Sequence, residues 1–321
     1  MGRKQMVGAV GGCWPMRVSV GIIVSSLIIS LIITMRVAAR PGLGILLILA
    51  AGLLLASHDA LSKSLTALYP VLMVVWARYM AQTLLMGALF APRLGLALVR
   101  TRRPWLQLAR GMSLVAISLL FFTALRYIPL GEATAVIFLA PLVVIVLSAT
   151  VLKERISRGL WLSVGCGLLG VMIIVRPGGA LFTPAILLPL GAALCFGLYQ
   201  LLTRRLSATD HPATSNFLTS LLGAVIMSLL VPWFWQLPSL QDGLLMFALG
   251  GLAMTGHMLL THAYRFASAA TLAPFTYGQI VLASVLGLIF FDHVPDAGAM
   301  LGMLVIIASG VALAWNQHRA A

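Results

Sequence analysis

The chain has few acids. Asp and Glu together number seven in 321 residues, against 21 Lys and Arg, and charged residues of both signs make up only 9% of the sequence. Soluble domains carry roughly 25%, so the surface of an ordinary water-soluble protein cannot be built from this composition. Cysteine is also scarce: Cys13, Cys166 and Cys195 show neither paired nor metal-ligand spacing, which excludes a disulfide framework and a zinc-type site. No GxxxxGK(S/T) loop is present, so ATP does not drive this chain directly. No HExxH pair gathers ligands for metal or general-base chemistry, and the six histidines are scattered. The composition therefore implies no cofactor and no metal.

Apolar sequence fills the rest. Hydrophobic residues reach 61%, more than a soluble fold of this length can hide, and this places the chain among polytopic membrane proteins whose main partner is the lipid bilayer. The net charge of +14 does not read as nucleic-acid binding, because the basic residues cluster between apolar segments. A membrane helix needs about 20 apolar residues. Ten such segments follow residue 40, at about 43–63, 71–91, 105–125, 131–151, 159–176, 184–203, 215–235, 243–263, 270–291 and 297–316. The connections are short, which predicts antiparallel hairpins of neighbouring helices.

Lys and Arg crowd four alternate connections, with Arg93, Arg100, Arg102 and Arg103, then Lys153, Arg155 and Arg158, then Arg204 and Arg205, then Arg265. The positive-inside bias puts these connections, and both ends of the ten-helix core, in the cytoplasm. Trp105, Trp161, Trp233, Trp235 and Trp315 fall near helix ends, as interfacial anchors do. Residues 1–40 stand apart as a basic and apolar extension. Three readings of it stay open: an eleventh helix, a signal peptide ending near "VAA" (37–39), or sequence upstream of a working start at Met35.

The chain repeats itself. "LFFTALRY" (120–127) matches "LLTHAYRF" (259–266) at an offset of 139, and the same offset sets Glu154 of "VLKERI" on His293 of "FFDHVP". "LAAGLLLASHDALSKSL" (49–65) aligns with "LGAALCFGLYQLLTRRL" (190–206), so Gln200 answers Asp59 and Arg204 answers Lys63. A duplicated unit of five helices enters the membrane from opposite sides in its two copies. The expected fold is an all-α polytopic membrane protein of ten transmembrane helices, made of two inverted five-helix repeats at 41–180 and 181–321. In transporters such repeats hold the substrate near the midplane and rock against one another.

"FFTALRYIPLGEATAVIFLAPLVVIVLSATVLKERI" (121–156) and "LAPFTYGQIVLASVLGLIFFDHVPDAGAMLGMLVIIASGV" (272–311) resemble the two repeats of the EamA-type drug/metabolite transporter superfamily. The resemblance covers 41–316. It implies a central cavity between the halves, a small-molecule metabolite as substrate and a place in the bacterial inner membrane. The family often carries an acid where His293 stands here, with Asp292 adjacent as a substitute. "SHDALSK" with "PFTYGQ" is similar to members that take up riboflavin or S-adenosylmethionine. Other members export amino acids or toxic metabolites, and a membrane-embedded enzyme is the alternative from a different class.

Ionisable side chains within membrane helices are functional candidates because each costs about 2.5–3.5 kcal/mol at the bilayer centre on insertion scales. Asp59 and Lys63, four residues apart, share a helix face, and His58 lies ~100° around. Two readings of Asp59 stand: an ion pair with Lys63 closing helix 1, or a cavity carboxylate whose state changes with substrate. Arg78 needs a partner, and Asp59 is the expected one across the helix 1–2 hairpin. His257, near the centre of helix 8, is a candidate for hydrogen bonding or proton relay. Tyr277 and Gln279, and the similar pair Tyr199 and Gln200, can stack on a planar substrate and bind its edge. Glu132 has the helix N-terminal position that the dipole favours, and Glu154 reads as a solvated loop charge or an end cap. Pro141 and Pro189 interrupt or open helices. Gly165, Gly170, Gly302 and Gly310 suit close packing within the subunit, and a homodimer contact there is the open alternative.

Overall fold

A computed structural model describes residues 41–150, 158–176, 182–206, 209–266, 272 and 275–320. Every regular element among them is helical: α1 (Pro41–Leu68), α2 (Val71–Leu94), α3 (Pro104–Ala124), α4 (Leu130–Ile137), α5 (Ala140–Thr150), α6 (Arg158–Val175), α7 (Leu187–Leu206), α8 (Pro212–Leu230), α9 (Leu240–Phe266), α10 (Gly278–Phe291) and α11 (Ala297–Ala320), with three short 3-10 turns. The extension 1–40 and Glu154 lie outside the described residues.

Proline marks the helix starts. Pro70 and Pro129 are N-cap residues of α2 and α4, and Pro104 and Pro212 open α3 and α8, where the missing N–H is no loss and the fixed φ suits the first turn. Pro141 acts as expected, from inside an apolar run. The helix that began at Leu130 stops at Ile137, and a new one begins at Ala140, because the Pro141 ring has no N–H to give and crowds the carbonyl four residues back.

Seven helical stretches are long and apolar enough to cross a membrane, counting 130–147 as one, and three shorter ones are also apolar: Val164–Val175, Gly278–Phe291 and Ala297–Ala312. Leu46, Leu53, Leu84, Leu162 and Met172 face outward, as do the five tryptophans expected at helix ends.

The packing does not follow the hairpins that the short connections imply. α1 and α2 meet only slightly, whereas α1 lies along α9 and α10, α2 along α8 and α9, α3 along α7 and α8, α4 against α10 and α7, α5 against α7, and α6 along α11. Small residues let these helices approach. Gly250 sits on Ala81 and on the Arg78 carbonyl, and Gly170 and Gly302 each face the carbonyl of the other. The Gly170 and Gly302 expectation holds inside the subunit. Gly310 lies against the Tyr277 ring, whereas a Cβ on Gly165 would meet only open space.

Candidate substrate site

Polar contacts gather at two ends and at the centre. One end is basic: Arg102, Arg103 and Arg205 line an open groove there beside Trp105, with a volume of about 660 Å³. Next to it, the α7–α8 connection reaches α3. Asp210 accepts hydrogen bonds from the Thr101 hydroxyl, from Gln107 Nε2 at 2.8 Å and from the Arg102 backbone N–H at 3.3 Å. Partial burial pushes the Asp210 carboxyl up, but these donors together outweigh it and hold the group below its ordinary value.

The opposite end is joined by charge. His293 Nε2 and Glu132 Oε1 are 2.8 Å apart, with Glu132 only 2% exposed. Arg176 meets Asp296 at 2.8 Å, and the hydrogen bond from Arg176 holds the Asp296 carboxyl low. Tyr69 donates to Asp242 at 2.7 Å. Local backbone geometry aims His293. Asp292 takes a left-handed conformation (φ 50) at the end of α10, its N–H bonds the Leu288 carbonyl, and the His293 N–H bonds that of Gly287. The Asp292 bond four residues back is that of the αL helix ending, and aspartate tolerates the left-handed region better than most residues. Asp292 itself is exposed and caps the helix. Glu132 does more than face a helix dipole: it ties α4 to the segment after α10.

The centre holds most of the side chains that the sequence singled out, in pairings it did not foresee. Asp59 makes no ion pair with Lys63 or Arg78. His58 Nδ1 lies 2.9 Å from Asp59 Oδ1, and Gln279 donates its amide to Asp59 Oδ2 at 3.3 Å. The ring of His58 turns back on its own helix although the two Cβ vectors diverge, and it also tilts against Phe122. Lys63 reaches the α3–α4 connection instead, donating to the carbonyls of Leu125 at 2.5 Å and Ile128 at 2.9 Å. Arg78 fails to meet Asp59 because α1 and α2 barely touch. It donates to Ser118 Oγ at 2.5 Å and lies 4.9 Å from the Tyr79 ring centre, while the Tyr79 hydroxyl is 2.9 Å from the same Ser118 oxygen.

His257 lies half-buried on α9 within the fields of Arg78, His58 and Arg110. Tyr277 is buried against Phe138, with ring centres 5.6 Å apart. Tyr199 stacks with Phe196 and accepts a hydrogen bond from Arg110 at 2.6 Å. Gln200 is half-buried beside it, with no hydrogen bond to the cluster among the described residues.

Arg110 is the residue that sequence reasoning missed. It is 2% exposed and spends all its donors on neutral acceptors. Nε bonds Thr203, Nη1 bonds the Ser215 carbonyl and Thr219, and Nη2 bonds Tyr199 and Asn216, all within 2.6–3.0 Å. Its guanidinium also lies 4.6 Å from the Tyr199 ring centre. The signal was present: an arginine six residues inside an apolar helix, the pattern that marked Arg78. Its nearness to the basic connection disguised it as one more topogenic charge.

Arginine, histidine, aspartate, glutamine and tyrosine side chains thus stand together, enclosed by apolar helices from both halves of the chain, and ionisable groups in such a place are candidates for a substrate path. The model of the EamA-like transporter family matches residues 42–176 and again 183–315. The chain belongs to that family. The transporter is 30% identical to a riboflavin transporter of Rhizobium johnstonii over 72% of its own length and 76% of the relative's. It is 23% identical to an S-adenosylmethionine uptake transporter of Rickettsia bellii (83% and 91%) and 31% identical to a pseudopaline exporter of Pseudomonas aeruginosa (84% and 95%).

Proposed function

We propose that this transporter moves a small organic metabolite across the bacterial inner membrane as a secondary carrier, by alternating access between two inverted halves, with the basic end cytoplasmic. The carrying observation is the pattern of helix contacts. Let the pieces α4 and α5 count as one span; the halves are then α1–α6 and α7–α11. Exchanging each helix for its counterpart turns the α1–α9 contact into α7–α3 and the α1–α10 contact into α7 with α4 and α5. The contacts α2–α8, α4–α10 and α6–α11 map onto themselves. Phe138 and Tyr277, which are repeat counterparts at the offset of 139, touch each other. Such self-mapping is what a two-fold axis in the membrane plane produces. In this reading the three shorter apolar helices complete spans, and the total is ten.

Asp59, Arg78, Arg110, Tyr199, His257, Tyr277 and Gln279 line the route. The two ends act as alternating gates, with Asp210 at one and Glu132–His293 at the other. The names of the relatives point to riboflavin-like or S-adenosylmethionine-like cargo and leave both directions of movement open, so export of an amino acid or toxic metabolite is the second reading of the same machinery. The test is net flux into proteoliposomes holding the purified chain, with labelled riboflavin and S-adenosylmethionine as first cargoes. Chemical turnover of a cargo without net movement would replace the carrier with a membrane-embedded enzyme.

A further inference from the structure

Arg78 and Arg110 are both buried, 4% and 2% exposed, and neither meets a carboxylate. The acids among the described residues are all committed or distant. Asp59 is held by His58 and Gln279, Glu132 by His293, Asp210 by Thr101 and Gln107, Asp242 by Tyr69 and Ser239, and Asp296 by Arg176, while Asp292 is exposed. Two cations thus stand inside an apolar bundle with hydroxyls, amides and aromatic faces around them and no counter-charge in contact among the described residues. Burying a charge without an opposite one is strongly unfavourable. In addition, Arg78 Nε has no acceptor among the described residues. The one buried central acid, Asp59, could have served as the counter-ion and is turned to the opposite helix instead.

The arginines sit at two depths. Arg78 is seven residues in from the start of α2, at the end that carries Glu132–His293. Arg110 is six residues in from the start of α3, at the basic end. Ser118, which accepts from Arg78, stands eight residues beyond Arg110 on the same helix, roughly 12 Å along it. His257 lies within the field of both. The acceptors of Arg110 belong to α7 and α8, the second half, whereas Arg110 belongs to the first. Parting the halves at the basic end would strip Arg110 of those neutral acceptors.

We infer that the transported molecule carries a carboxylate, and that Arg78 and Arg110 are its two successive anchors. This rests on the carrier reading above and narrows the substrate class. A carboxylate matches the guanidinium fork with two parallel hydrogen bonds. It supplies the missing charge at one arginine at a time, and it replaces the acceptors that Arg110 loses when the basic end opens.

The test is thermal unfolding of the detergent-purified full chain at constant ionic strength. Succinate is compared with succinamide, S-adenosylmethionine with its decarboxylated form, and both pairs with riboflavin and inorganic phosphate. At least one carboxylate is expected to raise Tm while its carboxylate-free counterpart does not. The half-saturating concentration rises roughly tenfold or more in Arg78→Gln and Arg110→Gln, and stays unchanged in the exposed Arg126→Gln. Arg78→Lys and Arg110→Lys, which keep the charge and lose the fork, serve if a glutamine variant does not fold, and they too bind more weakly. Stabilisation by riboflavin alone, by phosphate alone, equally by both members of a pair, or by nothing overturns the inference, as does carboxylate binding that survives in the arginine variants. Flux separates the two readings. A carboxylate that binds through these arginines but does not cross removes the carrier and leaves the anion site. A neutral cargo that crosses normally in the arginine variants does the reverse.

Discussion

Gln279 donates its side-chain amide to Asp59 across 3.3 Å, joining α10 to α1 over 220 residues of chain. The acid is therefore shared between the halves and is not a fixture of helix 1 alone. Asp59→Asn leaves the shape but changes one acceptor oxygen into a donor that faces the Gln279 amide, and it removes the charge opposite His58. We expect this variant to lower flux at least tenfold at matched expression, with Glu154→Gln close to normal. Equal, near-normal flux in both would remove the case for Asp59.

Glu132 and His293 should couple. His293→Ala leaves a buried carboxylate without its partner, a change that costs about 3–5 kcal/mol in buried pairs and less here, because His293 is partly exposed. Adding Glu132→Gln removes the stranded charge, so the double variant should unfold at a higher temperature than His293→Ala alone. A double-mutant cycle by thermal unfolding measures this coupling, and additive losses would show that the contact carries none.

Gly310 and Gly165 should differ in what they tolerate. A methyl group on Gly310 would lie 1.9 Å from Tyr277 Cζ, and one on Gly165 would meet nothing. Gly310→Ala is expected to destabilise by about 1–3 kcal/mol, the usual cost of overpacking. Gly165→Ala should be neutral or slightly stabilising. Denaturant or thermal unfolding of the two variants, side by side, checks it.

Acid should loosen the basic end through Asp210. Its carboxyl is held below the ordinary value by Thr101, Gln107 and the Arg102 N–H, so it binds protons more readily in the unfolded chain than in the folded one. The stabilisation is complete above the unfolded value, near pH 4, and is lost as pH falls through the lower folded value. Asp210→Asn should be less stable than the parent at neutral pH and should lose less stability on acidification. A parallel fall in both proteins over that range would assign the acid sensitivity to other groups.

Much of the architecture was legible because bilayers leave few choices. Apolar length marks helices, basic connections mark ends, and the proline at position 141 broke its helix where the ring demanded. Side-chain partners were not legible, and the reason is packing. Short connections imply that α1 and α2 pair, which predicts an Asp59–Arg78 contact. The helices that enclose Asp59 are α9 and α10, and sequence distance says nothing about them. Lys63 and Asp59 share a face by spacing, yet the lysine found two carbonyls at the turn before α4. Arg110 carries the same signal as Arg78, but it stands close to the basic connection of Arg100, Arg102 and Arg103, whose charges mark topology.

The interleaved contacts also bear on how the chain is made. Leu47, Ile48 and Ala51 of α1 are buried against α9, and Asp59 waits for Gln279. At roughly 5–20 residues per second, the ribosome needs about 10–45 s to travel from one member of that pair to the other. During that interval the first half stands in lipid with Asp59 lacking Gln279, Glu132 lacking His293 and Arg110 lacking its acceptors on α7 and α8. Biogenesis of this protein is an assembly reaction between two parts of one nascent chain, and a membrane chaperone that shelters the early helices would act in that window.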